Sequence, residues 1–374
     1  MQYRYDCKLF NGYKPCQPYK MCDDCSDYSP QGFRILIINL DALGDVLMTT
    51  ALLPAIKEKY PVSSIYWITL PLAAPLLEHN PLIDEIIPWS PETMTWLPHM
   101  DFDLVLSCDR DRKSTAIAMS VSAIEKRGFG LGPQGVVIPL NKEMAYAYRL
   151  GLDDHLKFKV NRQTGQQILA EGMGFEYRRR EYILELTDDE KRRVAEYRAF
   201  HGIGDSVKAL GINTGCSGKF KYKRLNESKL ERVITKILDQ DTQHKLKILL
   251  LGGASETELN DRLAETVDDS RLITTPTQEG IRRGLLYIAA CDACLTGDTF
   301  GLHAAIALKV PTVAFFTISC DVEIDFYDRG YLVLADVPCR PCWKSWCPDP
   351  ICIDKVDVDE LVEKVQLLLD KHCG

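Results

Sequence analysis

The chain has 374 residues, 46% of them hydrophobic, with a formal net charge of −8. That length exceeds what one hydrophobic core usually supports, so two domains are expected, and the acidic balance excludes wrapping contact with nucleic acid, which needs a basic surface to neutralise phosphates. No apolar run reaches the roughly 18 residues of a membrane span. The polar, cysteine-rich opening segment lacks the apolar core of a signal peptide, so a cytoplasmic protein in a reducing compartment is expected.

Residues 1–30 show neither helical nor strand periodicity and read as a loop-rich cap organised by cysteines. From Arg34 the pattern changes. Ile35-Leu36-Ile37-Ile38 is an unbroken apolar run, as in a strand buried on both faces of a parallel sheet. A helical pattern follows as far as Pro61, with a break expected at Pro54, which removes an internal hydrogen bond. Ser64–Thr69, Ile83–Ile87 and Asp103–Ser107 are the next strands, and Ser114–Glu125 reads as a helix. Residues 130–135, GLGPQG, spell a GxGxxG pattern. A dinucleotide site needs a helix after it, and here the strand-like Val136-Val137-Ile138 follows, so nicotinamide binding is set aside.

The stretch from 142 to 200 carries charged helical patterns, and in TDDEKRRVAEYRAF Thr187 and Glu190 form a capping box. The alternation then resumes. Strands are expected at Lys208–Ile212, Lys247–Leu251, 293–296 and Thr312–Phe316, with helices at Lys229–Leu238, 281–290 and 302–308. Two such runs predict an α/β protein of two Rossmann-like domains facing one another across a cleft. The expected division is a cap at 1–30, a first domain at 31–185, a second at 186–355, and a C-terminal helix at 356–374 packing back toward the first domain.

Ligands of open parallel sheets bind beyond the carboxyl ends of the strands. Gly44 and Asp45 follow the first strand. There Asp45 is either a helix N-cap or a general base, and Gly44 lets a substrate approach the backbone. Lys219, Lys221, Lys223 and Arg224 form a basic loop that is either solvated or anion-binding. Asp298 and Thr299 sit between a strand and a helix, where a cap and a diphosphate site are again the alternatives. Arg110, Arg112 and Lys113, after a first-domain strand, are candidates for an acidic acceptor or an ordinary helix start.

Eight of the fourteen cysteines fall into two tight groups, Cys7, Cys16, Cys22 and Cys25, and Cys339, Cys342, Cys347 and Cys352. Each contains a CxxC pair of the kind tetrahedral zinc prefers, with two more thiols in reach, so structural zinc is expected. Iron, alone or as an iron–sulfur cluster, is the rival, and reduced unligated thiols the plain alternative. Neither group offers an open ligand position, so no metal is expected in catalysis.

Four blocks together resemble glycosyltransferase family 9, the heptosyltransferases: LDALGDVLMTTALLPAIKEKYP at 40–61, LGINTGCSGKFKYKR at 210–224, KILLLGGASETELNDRL at 247–263 and LTGDTFGLHAAIALKVPTVAFF at 295–316. The resemblance runs from about residue 33 to the C-terminus. It implies a GT-B fold and inverting transfer of a sugar from a nucleotide diphosphate donor, with heptose from ADP-heptose as the expected donor. It makes Asp45 the base and Lys223 the lysine facing the diphosphate. Arg224, Gly215, Asp298, Thr299, Gly301 and His303 become donor-site residues, and Gly44 lies on the acceptor side.

The expected acceptor is a lipid-linked surface glycan such as a lipopolysaccharide precursor, with peripheral contact at the inner face of the membrane. Family members that glycosylate autotransporter proteins carry an iron-binding cysteine motif near the C-terminus, less compact than the one here, so a protein acceptor is the alternative. A non-catalytic scaffold that keeps the fold is the alternative from another class. The chain departs from the family pattern at three places: Phe300-Gly301 after Asp298-Thr299, Leu225-Asn226 after Lys223-Arg224, and Thr317 where a glycine is expected.

Overall fold

The computed structural model describes residues 3–16, 21–23 and 25–373. The chain forms two compact units. One comprises Met1–Asp41, Thr49–Leu152 and Gln166–Arg180, the other Ala42–Met48, Asp153–Gly165 and Glu181–Gly374.

The first unit is built on β1 (Phe33–Ile38), β2 (Ser63–Thr69), β3 (Glu85–Pro88), β4 (Asp101–Ser107), β5 (Ser122–Leu131) and β6 (Val137–Pro139). Their order is β3-β2-β1-β4-β5-β6, parallel except for the last pair. β1 lies between β2 and β4, with Ile35 opposite both Ile65 and Leu104, so its apolar run is buried on both faces. The helical pattern after β1 splits into Leu43–Thr49, a 3₁₀ turn at Thr50–Leu52, and Leu53–Lys59. Pro54 lies in the first turn of the last piece, where its missing N–H leaves no helical bond unmade.

The helix expected over Ser114–Glu125 is shorter. It runs Arg112–Ser120, after which the chain extends at Val121 and pairs along β4 as β5. A ladder of sheet hydrogen bonds outweighs the local helical pattern there. The GLGPQG stretch is the β5–β6 hairpin, closed by Gly132 N–H to the Val136 carbonyl at 2.8 Å, so no helix follows it.

The second unit repeats the plan with β7 (Lys208–Asn213), β8 (Leu246–Leu251), β9 (Leu272–Thr274), β10 (Ala293–Gly297), β11 (Thr312–Phe316) and β12 (Gly330–Leu334). The order is β12-β11-β10-β7-β8-β9, all parallel. Helix Glu227–Gln240 buries Leu230, Val233, Ile234, Ile237 and Leu238, a stripe at helical spacing, against this sheet. The capping box at Thr187 and Glu190 opens helix Asp188–Phe200.

Two expectations about the division of the chain are corrected. The last helix, Val358–Cys373, expected to pack toward the first domain, groups with the second unit: Leu361, Val362, Val365 and Leu368 join the core of the second sheet, because they form an apolar stripe that needs cover. Residues 42–48 and 153–165, placed in the first domain from sequence, group with the second unit. Specific packing holds them there, Lys157 against Glu323 at 3.7 Å and Gly165 against the Met48 sulfur.

Candidate functional site

Site residues gather at the carboxyl ends of β7, β10 and β11, the edge where parallel sheets bind ligands. β10 is buried throughout and ends at Gly297, placing Asp298 just past the sheet and 8% exposed. A side chain on Gly297 would strike the Lys223 carbonyl, so the glycine lets the basic loop cross directly over the strand end. That crossing sets Lys223 Nζ 2.6 Å from Asp298 Oδ2. Burial alone would raise the Asp298 pKa. The Lys223 charge, helped by His303 and by hydrogen bonds, outweighs it and holds the carboxyl below its usual range.

Thr299 occupies the position before helix Phe300–Ala307, yet its side chain makes no capping bond. Its hydroxyl instead accepts from Asn213 Nδ2 at 2.9 Å, and the same nitrogen reaches Thr296 and the Gly215 carbonyl. Gly301 gives Asn213 its room, since an added Cβ would lie 2.9 Å from the Asn213 Cγ. One helical turn on, His303 is buried, its Nδ1 3.3 Å from the Tyr182 hydroxyl and its ring stacked on that of Tyr182. Burial, and then the Lys223 charge against the opposing pull of Asp298, lowers the His303 pKa to about 4, so the imidazole is neutral at pH 7.

Asp45 lies in the first turn of helix Leu43–Thr49, inside the helix and not at its N-cap, and its carboxylate accepts the N–H of Ala42, the residue before the helix. The side chain nevertheless keeps a face open to solvent. On its other sides protein atoms crowd the carboxyl and push its pKa up to about 6, against the Ala42 hydrogen bond. Asp298 and Glu323 add to the rise and Lys223 opposes it. Water at the open face screens part of this, so about 6 is an upper value. A solvent-facing carboxylate ionised at neutral pH suits proton abstraction.

Gly44 has a different role from the one expected. It is buried, and an added Cβ would meet His303 Cδ2 at 2.5 Å, so the space it leaves is filled by a protein ring and not by substrate. Gly44→Ala should therefore displace His303 and cost about 1–3 kcal/mol by overpacking. Thermal melts of that variant, alone and with His303→Ala, check this: the second change should recover most of the loss, and equal losses in both backgrounds would refute the contact.

The remaining donor-side residues fall at Gly215, whose missing side chain admits Glu256, with an added Cβ only 2.6 Å from the Glu256 carboxyl carbon. Glu256 is buried, accepts the Gly253 N–H at 3.0 Å, and stands 3.9 Å from Arg224. Two departures from the family pattern have structural explanations here. Leu225 is in the core, and Asn226 caps helix Glu227–Gln240 by accepting the Lys229 N–H at 3.0 Å. The third, Thr317, donates to the Tyr222 carbonyl at 2.5 Å and so pins the residue before Lys223.

The acceptor candidates are exposed and also make local contacts. In the first unit the Arg110 guanidinium donates to the Ala147 carbonyl and lies 4.8 Å from the Phe129 ring. Arg112 opens the helix that Asp111 caps, and Lys113 rests 4.3 Å over the Trp89 ring, as at an ordinary helix start.

Sequence reasoning missed Tyr182, Asn213, Glu256, Lys157, Glu323 and Trp343. Glu323 was the most accessible of these, an acid shortly after the last apolar strand of the second alternation. Its pKa is raised by burial, against Lys157.

Cys7, Cys16, Cys22 and Cys25 line one cavity of about 160 Å³. Among the described residues, however, no three His, Cys, Asp or Glu side chains stand where they would hold one ion. The metal expectation at both cysteine groups therefore rests on sequence spacing.

Comparison with known proteins bears on the family and the fold. The family model described as glycosyltransferase family 9 (heptosyltransferase) matches residues 95–350, more than half of the chain. Lipooligosaccharide heptosyltransferase 2 of Campylobacter jejuni is 27% identical over 169 residues, 43% of this chain and 51% of that protein. The chain spans from about a quarter to about half the length of the curated relatives it matches. Among solved structures, a family 9 glycosyl transferase from Veillonella parvula superposes with a TM-score of 0.71 at 17% identity, covering 91% of this chain and 98% of that one. The E. coli ADP-heptose lps heptosyltransferase II gives 0.66 at 16% identity, covering 91% of this chain and 100% of that one. At those identities the likeness establishes the fold, the two-unit α/β architecture called GT-B. With the family model matched across most of the second unit and the fold shared with solved members, the chain belongs to glycosyltransferase family 9.

Proposed function

We propose that this chain catalyses inverting transfer of a sugar, a heptose from ADP-heptose, to a hydroxyl of a lipopolysaccharide-type glycan. The observation that carries the reading is the Asp45 carboxylate, open to solvent and within the field of the Lys223–Asp298 pair. In this reading Asp45 takes the proton of the acceptor hydroxyl as its oxygen attacks the anomeric carbon. The bond from that carbon to the diphosphate oxygen breaks in the same displacement, and the configuration inverts. Negative charge develops on the departing diphosphate, where Lys223 and the N-terminal N–H groups of helix Phe300–Ala307 are disposed to meet it.

His303, neutral, offers a hydrogen bond without competing for the proton. No metal enters any step. A lipid-linked acceptor would bring the protein to a membrane surface, and among the described residues no helix is long and apolar enough to cross one.

Calorimetry with a panel of nucleotide sugars, followed by transfer of labelled sugar to lipid-linked glycan or to protein, tests the reading. ADP-heptose should bind best and label the glycan. Preference for another donor, or labelling of protein alone, would replace the substrate assignment. Absence of both binding and transfer would favour a non-catalytic role.

A further inference from the structure

The second cysteine group has no part in the chemistry above, yet its segment reaches the donor side of the site. Trp343, directly after Cys342, is half-buried, and its indole centre lies 4.1 Å from Lys223 Nζ. The Lys157 ammonium approaches the same ring at 4.9 Å, and the Phe220 ring meets it edge-on at 5.3 Å. Each of these lysines also has a carboxylate partner, Asp298 for Lys223 and Glu323 for Lys157.

The backbone is fixed on both sides of this residue. The N–H groups of Cys342 and Trp343 both donate to the Ile318 carbonyl at 2.9 Å, in the turn after β11. Further on, the Cys347 N–H donates to the Tyr222 hydroxyl at 3.1 Å, one residue before Lys223. Trp343 itself adopts the left-handed backbone conformation, φ 50°, uncommon for a large aromatic residue and held here by those bonds. The segment thus clamps an indole against the lysine that the transfer reaction needs.

We infer that Trp343 is a positioning residue for the donor diphosphate: its ring face holds the Lys223 ammonium at the strand edge, beside Asp298 and ready to pair with phosphate oxygens. A lysine has four rotatable bonds, and the Asp298 carboxylate at 2.6 Å fixes its ammonium from one side only. The indole supplies a second, neutral attraction from another direction, so the ammonium is kept in place while a phosphate remains free to approach. This gives the CRPCWKSWC stretch a role in substrate binding that does not depend on its thiols. The inference rests on the donor-site reading proposed above.

Calorimetric titration of the full chain with ADP, inorganic pyrophosphate and adenosine tests it, each variant first checked by thermal melting. Trp343→Leu should weaken ADP and pyrophosphate by roughly 3- to 30-fold, the range of a partly desolvated cation–π contact, and leave adenosine unchanged. Trp343→Phe, which keeps a π face, should recover most of the affinity even if the Leu variant is poorly folded. In a Lys223→Met background the Trp343→Phe and Trp343→Leu changes should have no further effect on ADP.

Parent-like pyrophosphate binding by Trp343→Leu overturns the inference, as does an equal loss for adenosine or full additivity with Lys223→Met. If Lys223→Met itself binds ADP as the parent does, the donor-site reading fails and takes the inference with it. A defect confined to the Trp343 variants' coupling leaves the donor reading standing and removes only the inference.

Discussion

Asp45→Asn is expected to reduce sugar transfer by about 10²- to 10⁴-fold, the usual contribution of a positioned general base. The substitution is informative because asparagine keeps an oxygen able to accept the Ala42 N–H, so the helix start is preserved while proton abstraction is lost. Stability should move the other way. A carboxyl whose pKa is raised on folding stabilises the fold only while it is protonated, and that contribution is lost as the pH rises through about 6. At neutral pH the parent therefore carries a carboxylate that the fold would prefer protonated, and the Asn variant should melt no earlier than the parent.

The pH profile gives an independent check. In the parent, kcat/KM should fall tenfold per pH unit below the Asp45 pKa, at or somewhat under 6, as the base becomes protonated. In the variant the residual rate should lose that limb. Parent-like turnover at pH 7.5, or an acid limb unchanged in the variant, would refute Asp45 as the base. A large loss of melting temperature would make the residue chiefly structural.

Much of the fold was legible because parallel strands buried on both faces announce themselves as apolar runs. Ile35–Ile38, Ile248–Leu251 and Thr312–Phe316 are examples, and Gly44, Asp45, Asp298 and His303 could be located by following such strands to their ends. What escaped reading was long-range in origin. β5 carries a pattern compatible with a helix and becomes a strand only because β4 offers it a ladder. The allegiance of residues 42–48 and 153–165 to the second unit depends on contacts such as Gly44 with His303 and Lys157 with Glu323 that no local period encodes.

The same holds for the chemistry. Asp45 combines a helix-start contact with solvent exposure, since a first-turn acid that accepts a backbone N–H also presents a carboxylate to solvent, and the proposed base role rests on that exposure. Arg110 was legible as an exposed basic residue, but its contacts with the Phe129 ring and the Ala147 carbonyl come from distant segments that no local pattern encodes. Trp343 lies among cysteines whose spacing draws attention to metal, and nothing local indicates that its ring meets a lysine more than a hundred residues away.

Asp298→Asn is expected to destabilise the second unit by about 3–5 kcal/mol, because it strands the charge of Lys223 in a largely water-excluded position. The two side chains are 12% and 10% exposed, so neither partner can fall back on full hydration when the other is removed. The aromatic faces of Trp343 and Phe220 stay in place but attract a cation too weakly to replace a carboxylate at 2.6 Å. The double variant Asp298→Asn with Lys223→Met should be more stable than Asp298→Asn alone, since it removes the stranded charge together with its partner.

Acid sensitivity supplies the sign. The Asp298 pKa is lowered on folding, so its stabilisation is present above the ordinary carboxylate range of about 4 and is lost as the pH falls through the depressed value. Urea titrations of parent, single and double variants at pH 7 and at progressively lower pH measure both effects. The single variant should lose most at pH 7 and show a flatter acid limb than the parent. Equal stability of parent and Asp298→Asn at pH 7 would mean that the pair is solvated in the working protein, and Lys223 would then need no carboxylate to hold it before the donor arrives.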